Sequence, residues 1–186
     1  FFSLEMTSME LTDRLIATES GISSDKLKGK LKMLPDEWQV LEQSIGRIFK
    51  SPLYIDETPG LTLTEFTAKA KRLVREKGVR IIFVDYLQLM HSGKPMAGGF
   101  SKVQEVTEIS NTLKTTAKEL NVPIIALAQL NRNLMSRMGS NGKPVLSDLK
   151  DSGSIEQDAD IVVFLHRPGL IGLTDDPEEL AKTEVI

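Results

Sequence analysis

Two short apolar runs, each closed by a polar residue, constrain the fold of this chain more than any other feature. Residues 81–84 are followed by Asp85, and residues 123–128 are followed by Gln129. A fully apolar run of this kind can be buried on both faces only in a parallel sheet that helices cover. In such sheets ligands bind at the carboxyl ends of the strands. The pattern therefore predicts a ligand site at the sheet edge that carries Asp85 and Gln129.

Strand and helix patterns alternate along the rest of the chain, as a doubly wound sheet requires. Helices are predicted over residues 9–20, in pieces over 22–49, over 62–77 and over 103–120. Further strands are predicted at residues 1–5, 53–55 and 161–165. The fold class predicted is α/β, a mostly parallel twisted sheet with helices on both faces. Three aromatic residues at helical spacing are predicted to lie in the core, namely Trp38, Phe49 and Phe66.

Local signals support the helix boundaries. Thr62 and Glu65 form a capping-box pattern, in which the hydroxyl accepts from an unpaired N–H and the carboxylate reaches back. Gly21 and Gly78 stand where helices are predicted to end, and Pro35 stands where one is predicted to begin. These signals predict where the chain turns between its strands.

Composition excludes several classes of protein. The 186 residues, 40% of them hydrophobic, are enough for one α/β domain with a substantial core. A net charge of −3 argues against coating nucleic acid through bulk positive charge, although a local basic loop could still bind it. There is no cysteine, and no apolar run approaches the roughly 20 residues needed to span a membrane. A cytoplasmic protein is the simplest interpretation.

A phosphate-binding loop of the form G-x-x-x-x-G-K-[ST] does not occur in the sequence. In many NTPases that loop holds the phosphates through its backbone N–H groups and its lysine. Three Gly-Lys pairs occur, but Leu31, Pro95 and Pro144 follow them, so no hydroxyl is positioned for a metal. The chain is therefore expected to be either a fragment or a nucleotide-deficient protein. A Gly-Lys-Thr or Gly-Lys-Ser upstream in the gene would indicate a fragment.

Four strings, in order, carry a resemblance to a known family. They are Phe1-Phe-Ser-Leu-Glu-Met6, Ile82-Phe-Val-Asp-Tyr-Leu-Gln-Leu89, Ala126-Leu-Ala-Gln-Leu-Asn-Arg132 and residues 146–160. Together they closely resemble the C-terminal motor domain of DnaB-type replicative DNA helicases. The resemblance implies a RecA-like P-loop NTPase fold, ATP and Mg²⁺ as cofactors, and a homo-hexamer around single-stranded DNA. It also implies primase and a helicase loader as partners.

The resemblance further implies one domain over residues 1–186 that is truncated at both ends. In the family the phosphate loop lies just before the strand that matches residues 1–5. A basic finger that reaches the neighbouring subunit's ATP lies just after the strand that begins near Glu184. We therefore expect the isolated chain to be inactive. A non-enzymatic DNA-binding or assembly module of the same fold is the main alternative, and a recombinase or clock-type ATPase of the superfamily is a third.

Several residues match positions with roles in ATP hydrolysis in the family. Glu5 matches the carboxylate that activates the attacking water, Asp85 the Walker B aspartate that holds Mg²⁺ through water, and Gln129 the phosphate-sensing glutamine. Arg14 matches an arginine placed against the nucleotide base. The alternatives are a solvated residue for Glu5 and Arg14, an ordinary polar strand end for Asp85, and backbone hydrogen bonding for Gln129.

The loops after the two apolar strands are the candidate DNA contacts. Lys150, Asp151 and Gly153 match family positions that hold the DNA backbone, with Lys150 standing where arginine is usual. Basic loop residues that are weaker candidates, each with simple solvation as its alternative, are Arg132, Arg137, Lys94 and Lys102. The two histidines, His91 and His166, are expected to be structural.

Overall fold

The computed structural model describes residues 1–94, 101–130, 143–171 and 182–186, without the side chains of 150–153, 170 and 171. The strands are β1 Phe2–Ser3, β2 Ile82–Asp85, β3 Ile124–Ala126, β4 Leu165–His166 and β5 Glu184–Val185. The helices are α1 Ser8–Ser20, α2 Ser24–Leu27, α3 Pro35–Lys50, α4 Leu63–Lys77, α5 Lys102–Leu120 and α6 Gly153–Asp158. Short 3₁₀ helices span Leu87–Leu89, Leu146–Ser152 and Pro168–Ile171.

The central sheet is parallel and has the order β1–β2–β3. Phe2 lies opposite Val84, and Val84 lies opposite Ala126. Both pairings are parallel, so the three strands point the same way. A single parallel bridge to Asp56 extends the sheet beyond β1. The strand predicted at residues 53–55 is wrong, because Asp56 forms only an isolated bridge to Phe2. One further contact joins the segments, since the Phe1 amino group donates to the Tyr54 carbonyl over 2.7 Å.

Helix α4 begins and ends, and helix α1 ends, where the local signals predict. At the start of α4, the Glu65 N–H donates to Thr62 Oγ1 over 3.3 Å, and the Thr62 N–H donates to Glu65 Oε2 over 3.0 Å. The helix ends at Gly78, whose φ of 65° is a left-handed conformation that favours glycine. These boundaries place α4 directly before β2 and direct the chain into the centre of the sheet.

The core lies between the sheet and the pair α4 and α5. Phe2 of β1 packs against Phe66 of α4, with ring centroids 4.9 Å apart. Other buried residues of this core are Leu61, Leu63, Ala70, Ile82, Val84, Leu87, Met90, Val106, Ile109, Leu113 and Val122. The prediction that Phe66 is buried is confirmed, since its side chain is 0% exposed.

The opposite face of the sheet is open within the described residues. Ile81, Ile125 and Leu127 are exposed, and Phe1 stacks on Phe83 with ring centroids 5.8 Å apart. Neighbouring residues of a strand point to opposite faces, which is why Ile82 is buried while Ile81 is not. The sheet therefore has one packed face and one apolar face in contact with solvent.

The core assignments of Trp38 and Phe49 are wrong. Both side chains are exposed, Phe49 to 90%. Helix α3 packs against α1 through the side that carries buried Ser44, and Arg47 donates from Nε to Glu19 Oε1 of α1 over 2.5 Å. The aromatic residues of α3 lie on a flank that α1 does not cover.

The buried strand predicted at residues 161–165 is also wrong. Only Leu165 of that run belongs to a strand, and Ile161 is 82% exposed. Instead, β4 pairs antiparallel with β5, and Phe164 exchanges backbone hydrogen bonds of 2.8 and 3.0 Å with Ile186. Within the described residues, β4 and β5 form a separate two-stranded sheet that does not join the three-stranded one. No helix in the described ranges is both long and apolar enough to cross a bilayer.

Candidate nucleotide site

Three of the predicted site residues lie at the same edge of the parallel sheet. Glu5 comes two residues after β1, Asp85 is the last residue of β2, and Gln129 comes three residues after β3. The Leu4 N–H donates to the Asp85 carbonyl over 2.8 Å, which brings the ends of β1 and β2 together. This is the edge at which open α/β sheets bind ligands. The structure thus brings these residues to one place, and the roles assigned to them stay predictions.

The two carboxylates at this edge are accessible. Glu5 is exposed and Asp85 is half-buried. Over the described ranges neither forms an ion pair, whereas Asp56, near the other side of β1, is bound by Lys69 over 2.7 Å. Accessible carboxylates at the strand ends can therefore bind water or a hydrated cation.

The chemistry of Asp85 fits a nucleotide-borne magnesium ion. Mg²⁺ usually keeps several waters and is bound through one or two carboxylates together with phosphate oxygens. A dedicated protein cage is not needed, and the described residues contain no cluster of three or more metal-ligating side chains. Asp85 therefore has the donor chemistry to hold the water shell of a metal that arrives with a triphosphate.

The backbone of Gln129 is held by Gln88, a residue that the sequence analysis missed. Gln88 Nε2 donates to the Gln129 carbonyl over 3.1 Å, and the Gln129 N–H donates to Gln88 Oε1 over 3.3 Å. Gln88 lies in the 3₁₀ helix that follows Asp85. The string Asp-Tyr-Leu-Gln contained this residue, but its partner lies 41 positions away, so no local pattern pointed to the contact.

A buried carboxylate, Glu105, lies behind Gln88. Lys102 Nζ donates to Glu105 Oε2 over 2.8 Å and to the Gln88 carbonyl over 3.3 Å. The Ser92 N–H donates to Glu105 Oε1 over 3.3 Å, and His91 Nδ1 lies 3.5 Å from the same oxygen. Burial raises the pKa of Glu105, but the hydrogen bonds from Lys102 and Ser92 and the nearby positive charges outweigh it, and the pKa is lowered. Glu105 therefore stays ionised at neutral pH.

Arg14 lies on α1, away from the strand ends but next to an open pocket. The pocket lies between α1 and α2, and its lining includes Arg14, Lys28 and Met6 together with the acidic Glu10 and Asp13. Met6 directly follows Glu5, so the pocket adjoins the first strand end. The position of Arg14 is compatible with a contact to a nucleotide bound nearby, and its role stays a prediction.

The predicted DNA contacts are only partly described. The backbone of Lys150 and Asp151 lies in the 3₁₀ helix Leu146–Ser152, and Gly153 begins α6. Both elements pack against α5, where Ser110 Oγ donates to the Ser154 carbonyl over 3.5 Å. The side chains of residues 150–153, and all of Arg132 and Arg137, lie outside the described residues.

The two remaining basic candidates are engaged in ion pairs with α5. Lys94 Nζ lies 2.6 Å from Glu108 Oε1, and Lys102 pairs with Glu105. Their positive charges are therefore partly compensated, and phosphate would have to compete with these carboxylates. His91 lies beside Glu105 and is exposed, whereas His166 is buried, and a structural role for both stays a prediction.

Comparison with known proteins gives a consistent result. The family described as the DnaB-like helicase C terminal domain matches residues 1–186. A replicative DNA helicase DnaB of Mycobacterium leprae is 46% identical over 177 residues, covering 95% of this chain and 28% of that protein. A replicative DNA helicase DnaC of Bacillus subtilis is 43% identical over 167 residues, covering 89% of this chain and 36% of that protein. The chain thus spans about a third of these relatives.

Two solved structures are similar to the whole described fold. One is an ATPase domain, which superposes with a TM-score of 0.81 at 37% identity, covering 91% of this chain and 59% of that one. The other is a DnaB-like replicative helicase, studied with its interactions with primase, which superposes with a TM-score of 0.83 at 35% identity. That match covers 95% of this chain and 42% of the other.

Proposed function

Because the chain belongs to the DnaB-like helicase C-terminal domain family and has its RecA-like α/β fold, we propose that it is the ATP-hydrolysing motor of a replicative DNA helicase. In this proposal residues 1–186 are part of one domain of a longer protein. That protein uses ATP to move along single-stranded DNA and unwind the duplex at the replication fork. The observation that carries the proposal is the placement of Glu5, Asp85 and Gln129 at one edge of a parallel sheet.

Each of these residues has a chemical task. Asp85 holds the water shell of Mg²⁺, which neutralises charge on the phosphates when it is bound with ATP. Glu5 accepts a proton from the attacking water, and its exposed position at the end of β1 leaves it accessible to that water. Gln129 contacts the terminal phosphate, and this contact couples hydrolysis to the loop that follows Gln129. Arg14 contacts the nucleotide base from α1.

DNA binding is proposed for the segments that follow the catalytic strands. Lys150, Asp151 and Gly153 would hold the phosphate backbone, and Arg132, three residues after Gln129, would add a contact. Contacts to phosphate are independent of sequence, which suits a motor that must pass over any sequence. What supports this arrangement is the packing of the 3₁₀ helix Leu146–Ser152 on α5, the helix that leads into β3.

Assembly into a homo-hexamer is proposed for the longer protein. An apolar stripe on α3, formed by Trp38, Ile45 and Phe49, is exposed in the isolated chain. Large exposed apolar surfaces commonly mark sites of protein association, and this stripe is our candidate for a subunit contact. Primase and a helicase loader are proposed as further partners. The longer protein is proposed to act in the cytoplasm.

The experiment compares ATPase activity with and without single-stranded DNA in the full-length protein that contains this chain. We expect DNA-stimulated hydrolysis in the wild type and a loss of about 10²-fold or more in Asp85→Asn, because the water shell of the metal loses the carboxylate that holds it. Asp36→Asn, at an exposed aspartate of α3, is the matched control and should retain activity.

The result also separates the proposed motor from its main alternative. A full-length wild type that is silent with ATP yet binds single-stranded DNA would contradict the motor and favour a nucleotide-deficient DNA-binding module. The isolated 186-residue chain, which has no G-x-x-x-x-G-K-[ST] loop, is expected to be inactive in the same assay.

A further inference from the structure

The hydrogen bonds between Gln88 and Gln129 replace strand pairing where it ends. Strands β2 and β3 are still connected just before this point, since the Leu127 N–H donates to the Val84 carbonyl over 2.9 Å. The Leu87 N–H then donates to the Leu127 carbonyl over 3.0 Å. Beyond that bond the chain after β2 turns into the 3₁₀ helix Leu87–Leu89, so among the described residues no strand pairs with the backbone of Gln129.

The side-chain amide of Gln88 forms the hydrogen bonds to the Gln129 backbone that a neighbouring strand would otherwise form. It offers an N–H donor and a carbonyl acceptor, the two kinds of group that a peptide unit uses in strand pairing. Both are used on the same residue, at 3.1 Å to the Gln129 carbonyl and 3.3 Å from the Gln129 N–H. The backbone of Gln129, a residue proposed to sense phosphate, is therefore fixed relative to the turn that begins directly after Asp85.

Gln88 is also tied to the start of α5. Its carbonyl accepts a hydrogen bond from Lys102 Nζ, and Lys102 is held by buried Glu105. Glu105 accepts in addition from the Ser92 N–H. The contacts form a continuous path from Gln129 through Gln88 and Lys102 to Glu105.

We propose that Gln88 is a positioning residue, which aligns Gln129 with Asp85 for hydrolysis and links that alignment to α5. This inference rests on the proposed ATPase function. Gln88 itself does not touch the nucleotide. Its effect is on the geometry of a group that acts in the transition state, so its loss lowers kcat and leaves the binding of ATP nearly unchanged.

A purely structural role for Gln88 would have different consequences. Strands β2 and β3 are already paired along their length, and the core beside them is tightly buried. The two hydrogen bonds lie at the exposed edge of the sheet, where Gln129 is exposed and Gln88 half-buried. Losing them should therefore loosen Gln129 locally without weakening the rest of the domain.

The test uses Gln88→Met in the full-length protein, a change that keeps the length of the side chain and removes both hydrogen bonds. Gln43→Met is the matched control, since Gln43 is exposed on α3. The first readout is hydrogen exchange without nucleotide. We expect the Gln129 amide to exchange faster in Gln88→Met, by on the order of tenfold, with amides of α4 unchanged.

The second readout is kinetic. We expect Gln88→Met to lower the DNA-stimulated kcat by on the order of tenfold and to change KM for ATP by less than about twofold. In a Gln129→Ala background the same substitution should have no further effect on kcat, because the two residues then act as one unit. The control Gln43→Met should match the wild type in both readouts.

Three results would overturn the proposal. These are unchanged exchange at Gln129, an unchanged kcat with normal wild-type activity, and faster exchange throughout the domain with a lowered melting temperature. The last would assign Gln88 a structural role. If the wild type has no ATPase activity, the proposed function fails by itself, whereas the exchange readout still decides whether Gln88 holds Gln129.

Discussion

Helices α3 and α4 are nearly equal in length and begin in similar ways, yet their apolar residues have opposite surroundings. Each has a glutamate in its first turn whose carboxylate accepts a hydrogen bond from the N–H three residues earlier, Glu37 from Leu34 and Glu65 from Thr62. Helix α4 buries Phe66 against the sheet, whereas Phe49 of α3 is 90% exposed. An amphipathic pattern thus identifies the apolar face of a helix, but not whether its partner belongs to the same chain.

The two faces of the sheet show the same contrast. Phe2 and Ile82 are buried beneath α4 and α5, whereas Ile125 and Leu127 on the other face are exposed. Parallel sheets are normally covered on both faces. We therefore expect the open face and the α3 stripe to be covered in the longer protein or in its assembly.

The largest expected effect contrasts the two helices directly. Phe66→Ala should lower the free energy of unfolding by about 3–5 kcal/mol, because it leaves a cavity beside Phe2. Phe49→Ala removes the same atoms from an exposed site and should change it by less than about 0.5 kcal/mol. Denaturant unfolding measures both, on full-length protein that has been dissociated into monomers so that a subunit contact at α3 does not contribute. Equal losses would mean that α3 packs within the chain after all.

The next largest effect is expected at Glu105, the buried carboxylate on α5. Glu105→Gln should lower the free energy of unfolding by about 1–3 kcal/mol at pH 7, because it weakens charge-assisted hydrogen bonds from Lys102 and Ser92. Glu108→Gln, at a partly buried glutamate that pairs with Lys94, is the comparison and should have a smaller effect.

The effect of Glu105→Gln also depends on pH. The pKa of Glu105 is lowered from its ordinary value of 4.5, so its stabilising contribution is fully present above that value. The contribution is lost as the pH falls through the lowered pKa of the folded state. The difference between wild type and Glu105→Gln should therefore shrink in acid, and a difference that grows would contradict this assignment.

A smaller effect is expected at the start of α4. Thr62→Ala should destabilise the protein by about 1 kcal/mol, because the Glu65 N–H loses its side-chain acceptor. Thr64→Ala, in the first turn of the same helix and exposed, should be neutral or slightly stabilising. Thermal melting of the two variants compares them. If both are neutral, the capping box does not stabilise α4.

The smallest effect on stability should accompany a clear effect on assembly. Phe49→Ser should leave unfolding of the dissociated protein unchanged within about 0.5 kcal/mol but weaken self-association of the full-length protein, because it places a polar group in the α3 stripe. Sedimentation analysis measures the association, with Gln43→Ser on the same helix as control. Unchanged assembly would remove α3 from the proposed subunit contact.

Features set by local chemistry were predictable from the sequence. The apolar runs before Asp85 and Gln129 located two strands and the edge at which they end, since strands of parallel sheets are typically near-continuous apolar runs. The capping box at Thr62 and the left-handed Gly78 gave the bounds of α4 correctly. The family resemblance and the RecA-like fold were confirmed.

Features set by contacts between distant segments were not predictable. Hydrophobicity marked residues 161–165 as a strand but could not tell that the chain pairs at its end with β5 instead. Periodicity placed Trp38 on the apolar face of a helix, but it could not show whether another part of the chain covers that face, and Trp38 is exposed. Gln88 was missed because its hydrogen bonds to Gln129 depend on how two strand ends meet.

The central claim is that the sheet edge carrying Glu5, Asp85 and Gln129 hydrolyses ATP, and Glu5→Gln in the full-length protein tests it most directly. We predict that hydrolysis falls by about 10²- to 10⁴-fold while ATP binding with Mg²⁺ stays within about twofold, because only the proton acceptor is lost. Glu76→Gln, at an exposed glutamate of α4, should behave like the wild type. Normal turnover in Glu5→Gln would contradict the account.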